Sequence, residues 1–171
     1  MIRMLAAGLA ALALAGPAAA QVRVTFQESA PKDRFVLVNE GACAFDALTA
    51  EIDLSSAAGG LIFDVTGEGA GVDVFQPLEV AEGDAAPAGE VRDGDAVLRL
   101  ALGPLGPGER VVATIDVDDT LRAGPLGQIR VAGSEIAGGR VSLSTREGLM
   151  RAEAAFDASA SAVLPISACT A

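Results

Sequence analysis

The residues best placed to do chemistry in this chain are carboxylates. Asp116-Val-Asp118-Asp119-Thr120 puts three acids within one short stretch. An extended backbone points alternate side chains to one face, so Asp116 and Asp118 share a face, expected to be the outward one. Asp119 follows where the chain is expected to turn. Three carboxylates converging on a strand end supply several of the roughly six to eight oxygens that a calcium ion takes. The plainer reading of the same residues is a polar outer face followed by an Asp-rich turn. Asp64, Asp73, Asp93 and Asp95 lie near other expected strand ends and add ligands if they share that pole. The EF-hand loop pattern and the glycine-rich calcium nonapeptide are both absent.

Other chemistries are narrowed by what the chain lacks. There is no His, Trp or Tyr among its 171 residues. Without His, Ser–His–Asp and Cys–His catalysis and imidazole-bound zinc are excluded. A net charge of −11 argues against nucleic acid, which is bound by Lys and Arg displacing counterions. Glycoside hydrolysis needs only two acids, but sugar clefts stack their substrate on aromatic rings, and Trp and Tyr are missing. Gly67-x-Gly69-x-Gly71 resembles a phosphate loop in composition only. The segment after it reads as strand, so no helix N-terminus is on hand, and Glu68 and Asp73 would repel a phosphate. Lys32-Asp33-Arg34 reads as a solvated turn.

Two segments report on compartment. Residues 1–20 read as a secretory signal peptide: Arg3 is the positive start, Met4 to Ala15 the short apolar run, and Ala18-x-Ala20 the small-residue cleavage site. The mature chain is then expected to begin at Gln21, exported to the periplasm, the cell surface or the medium. No later apolar stretch is long enough for a transmembrane segment. Cys43 and Cys169 are the only cysteines, and export places them where disulfides persist. Two cysteines allow one intramolecular pairing, so a Cys43–Cys169 bridge is expected.

The elements that must position these residues follow a period of two. Val22, Val24 and Phe26 alternate with polar residues, as do Leu48, Ala50, Ile52 and Leu54, and then Val111, Ala113, Ile115 and Val117. Shorter apolar runs at 35–38, 61–65 and 72–80 read as more fully buried strands. Further strands are expected at 96–102, 129–131, 141–143, 150–156 and 163–166, with a short helix as the rival over the Ala-rich 146–162. Turn signals such as Asn39-Glu-Gly41 and Asp93-Gly94 separate the strands, and Gly138-Gly139 reads as a tight hairpin. Residues 81–95 read as an exposed acidic loop. The fold class this predicts is all-β, one antiparallel β-sandwich over 21–171, immunoglobulin-like, with about 8–10 short strands.

Several stretches resemble exported alphaproteobacterial proteins described as the "aggregation factor core" family. They are Ser29-Ala-Pro-Lys-Asp-Arg-Phe-Val-Leu-Val-Asn-Glu-Gly-Ala-Cys43, Gly60-Leu-Ile-Phe-Asp-Val-Thr66, Gly71-Val-Asp-Val-Phe-Gln-Pro77, Ile115-Asp-Val-Asp-Asp-Thr120 and Ser134-Glu-Ile-Ala-Gly-Gly-Arg-Val141. The resemblance implies a secreted or surface β-domain with a part in adhesion, and it brings no catalytic or ligand residues with it. The function expected is therefore a non-enzymatic exported domain in calcium-assisted adhesion or aggregation, with a protein or cell-surface partner. Asp116, Asp118 and Asp119 are its expected metal ligands. The alternative is a periplasmic structural or partner-binding domain using free strand edges. A carboxylate-dependent hydrolase has the least support, since its acids and bases would be carboxylates and Lys32 alone.

Overall fold

The computed structural model describes residues 20–68, 75–121, 126–127, 130–145, 147–148 and 151–166. The expected signal segment lies almost wholly outside them. The first strand, β1 (Ala20–Gln27), begins one residue before the expected mature start. Among the described residues no helix is long and apolar enough to cross a membrane.

The chain is all-β, and its alternating sequences explain why. In β2 (Asp33–Asn39), β3 (Leu48–Asp53), β7 (Val97–Leu102) and β8 (Arg110–Ile115), every second residue is buried. Period-two burial lets one face of a sheet leave water while the other stays wet. Two five-stranded antiparallel sheets result. One is ordered β12-β1-β2-β8-β5, the other β11-β10-β3-β7-β6, where β5 is Glu79–Glu82, β6 Ala85–Pro87, β10 Arg140–Thr145, β11 Arg151–Ala155 and β12 Ser161–Ile166. A third, two-stranded sheet pairs β4 (Ile62–Phe63) with β9 (Val117–Asp118).

The core lies between the two large sheets. Val24 sits opposite Leu37 and Leu37 opposite Val111 in the first; Ile52 sits between Val141 and Leu98 in the second. All are essentially inaccessible. Burying each such side chain contributes about 1.5–3 kcal/mol. Phe35 links the layers, its ring 5.3 Å from Phe26 and 6.3 Å from Phe156. Both are within the range of favourable aromatic pairs.

Two expectations are corrected. Residues 81–95 are not one loop, because they hold the end of β5 and all of β6. Their Ala, Pro and Gly content hid two exposed edge strands that bury little. Gly138-Gly139 does not turn a hairpin: one helical turn, α1 (Gly133–Ile136), precedes it, and Gly138 donates its N–H to Phe156 O at 3.0 Å. Near the C-terminus the expected strands form, as β11 and β12, rather than the rival helix, since the alternate residues Ala152, Ala162 and Leu164 are buried against the core.

Candidate metal centre

The acidic stretch at 116–119 lies where the first sheet stops. β8 pairs with β2 as far as Asp33 opposite Ile115. The chain then leaves that sheet and pairs with β4, Val117 opposite Phe63 and Asp118 opposite Ile62. Asp64 N donates to Asp116 O at 3.2 Å, Gln76 N to Asp64 O at 3.1 Å, and Asp116 N to Gln76 O at 3.3 Å. Asp116 is thus clasped on both sides by backbone instead of lying on a wet face.

That clasp overturns the outward placement of Asp116 and Asp118. They are 4% and 1% exposed, and Asp64 is 1% exposed. Each of the three offers a carboxylate oxygen, and these oxygens all lie within 4.8 Å of one another. Oδ2 of Asp116 is buried with no hydrogen-bond partner. Asp119 is also buried, but it stands outside this group, and its Oδ1 accepts the Leu121 N–H at 2.9 Å.

A further buried carboxylate, Asp33, borders the cluster. Its Oδ2 accepts the N–H of Val117 at 3.1 Å and its Oδ1 that of Ser29 at 3.0 Å. The expected solvated turn at Lys32-Asp33-Arg34 is therefore corrected. Asp33 has the inward parity of Phe35, Leu37 and Asn39, and that parity is the signal by which the sequence could have revealed it.

The electrostatics are one-sided. Burial pushes the Asp33 carboxyl up to about 7, against the two backbone N–H groups that favour its charge, with Glu28 and Asp118 pushing further up. Burial likewise raises Asp116 to about 7, reinforced by Asp118, Asp33 and Asp64. Two unit charges about 4.8 Å apart repel by roughly 3 kcal/mol at an effective dielectric of ~20. Three ionised carboxylates this close need protons or a cation. A calcium ion holds oxygens at about 2.4 Å, so two ligand oxygens in one shell lie no more than about 5 Å apart. The spacing of Asp64, Asp116 and Asp118 fits that sphere.

The remaining acids named from the sequence do other work. Asp93 accepts the N–H groups of Val65 at 2.7 Å, Thr66 at 2.8 Å and Glu68 at 3.0 Å, and also the Thr66 hydroxyl. It pins the turn that follows Asp64, and these bonds, the Thr66 hydroxyl foremost, hold its carboxyl down at about 2. Asp95 accepts the Arg92 N–H at 2.8 Å. Asp73 lies outside the described residues, as do Gly69 and Gly71. Cys43 carries no free thiol, and its expected partner Cys169 lies outside the described residues.

No protein-family model matches the chain, and no curated protein matches it.

Proposed function

We propose that this chain is an exported, non-enzymatic β-sandwich domain that works in calcium-assisted adhesion or aggregation at the cell surface. Asp64, Asp116 and Asp118 hold the ion. The observation that carries the reading is the meeting of three buried carboxylates within 4.8 Å, with a fourth acid beside them. Because the cluster is buried, the ion acts by ordering its end of the sandwich, joining Asp64, just after β4, to the β8–β9 crossover. It does not bridge two cells directly. Adhesion enters from the sequence resemblance, and calcium from the carboxylates.

A hydrolase would need its acids on a substrate cleft. A groove of about 620 Å³ runs along Glu82, Asp84, Leu105, Glu109 and Arg110, and the buried carboxylates do not line it. This favours an ion-holding role for the cluster over acid–base catalysis.

The test is thermal unfolding of the exported protein in EDTA, then with calcium, with magnesium as control. An ion that binds only the native state stabilises it by about 2.7 kcal/mol at a hundredfold excess over its Kd. For a chain of this size the midpoint is expected to rise by roughly 5–10 °C. Asp116→Asn is expected to abolish the rise. An unchanged midpoint, with no heat of calcium binding, would overturn the reading.

A further inference from the structure

We infer that Asp33 is a positioning residue for the cation site: it fixes the peptide between two ligand carboxylates and thereby sets the site's affinity. The inference rests on the calcium reading above. Val117 is the residue between Asp116 and Asp118, and its N–H is held by Oδ2 of Asp33 at 3.1 Å. The other oxygen is held by Ser29 N at 3.0 Å, so the carboxylate is anchored at both ends. Asp33 is 4% exposed and starts β2, where the β2–β8 ladder runs out. Its side chain therefore supplies the acceptor for Val117 at the point where the chain crosses to β4.

The crossing decides where the ligands point. Consecutive side chains on an extended chain alternate, so Asp116 and Asp118 face one way only while the Val117 peptide keeps its orientation. A rotation of that peptide would turn both carboxylates out of the cluster together. Ligand-orienting partners of this kind typically change metal affinity by about 10- to 100-fold when removed.

A neutral amide would fill the same space but keep one acceptor oxygen for the two N–H groups of Val117 and Ser29. The acid places a further negative charge beside Asp116 and Asp118, a burden to the empty site and an asset to the filled one. The two states therefore respond oppositely to its removal.

The experiment is calorimetric titration of the exported protein with calcium chloride, for the wild type, Asp33→Asn and Asp116→Asn, alongside their melting midpoints in EDTA. Expected for Asp33→Asn is a Kd weaker by about 10- to 100-fold, with a midpoint in EDTA equal to or above that of the wild type. A purely structural Asp33 would lower the midpoint with and without calcium alike and leave the Kd unchanged, and that result would overturn the inference. Absence of calcium binding by the wild type itself would overturn the underlying reading as well. Should Asp33→Asn fail to fold, amide exchange in the wild type decides. Calcium is expected to slow exchange of the Val117 amide at least about tenfold, in step with the affinity gain. An unchanged rate would overturn the inference.

Discussion

Asp33 and Asp116 lose protons in the folded chain near pH 7, and in the unfolded chain near the ordinary 3.8. The native state therefore binds these protons more tightly than the unfolded state does. Their contribution to stability is fully present below about pH 4 and is lost as pH rises through about 7. In EDTA, the protein is expected to become less stable across that window, as measured by denaturant unfolding at a series of pH values. Saturating calcium is expected to flatten the decline, because the ion takes the place of the protons. Asp93 has the opposite sign. Its folded value of about 2 lies below 3.8, so the turn it pins is stable above pH 4 and weakens only as pH falls toward 2.

The elements were legible wherever apolar and polar residues alternate cleanly. β1, β3, β7 and β8 could be read directly, because one buried face requires that pattern. β5 could be read only at its start, inside the expected 72–80 strand, and β6 not at all: edge strands bury little, and within 79–87 only Val80 and Ala85 pack partly against the core. The site was half legible. Asp116 and Asp118 stood out as acids, but alternation placed them outward, and nothing local announces that β8 leaves its sheet after Ile115 to pair with β4. Asp64 joins them through a pairing between segments far apart in sequence, which no periodicity reports. The β5–β6 link is itself a demanding element, since it carries the chain from one large sheet to the other. Gly83 sits there at φ +85°, and an added Cβ would lie 2.5 Å from the Arg110 carbonyl oxygen. Gly83→Ala is expected to cost about 2–3 kcal/mol in denaturant unfolding, from backbone strain and that collision together. The same substitution at Gly108 or Gly127, where nothing lies within 4 Å of the added Cβ, is expected to cost less.

Across the whole molecule, the flat faces of both sheets are laced with ion pairs. Arg99 meets Glu51 at 2.7 Å on one sheet, and Arg23 meets Glu40 and Arg110 meets Glu82, each at 2.7 Å, on the other. Exposed pairs of this kind contribute about 0–1 kcal/mol each, so they keep the faces wet more than they hold the fold. A larger restraint is expected from the Cys43–Cys169 bridge. It would close a loop of about 127 residues, worth roughly 5 kcal/mol on the chain-entropy model. Reduction with dithiothreitol is expected to lower the melting midpoint by ten degrees or so, and a Cys43→Ser variant to match the reduced protein. An unchanged midpoint after reduction would rule the bridge out.

β1 pairs with segments from both halves of the chain, β2 on one edge and β12 on the other. Its first residue, Ala20, pairs with Ile166 at the far end of the chain. Among the described strands β1 comes first in the chain and β12 last. One edge of β1 therefore stays unpaired until β12 docks, and the first large sheet is complete only then. Asp33, Asp64, Asp116 and Asp118, by contrast, all precede β10, β11 and β12 in the chain. The ion-holding corner thus draws on no strand after β9, and the sandwich can be completed around a centre already in place.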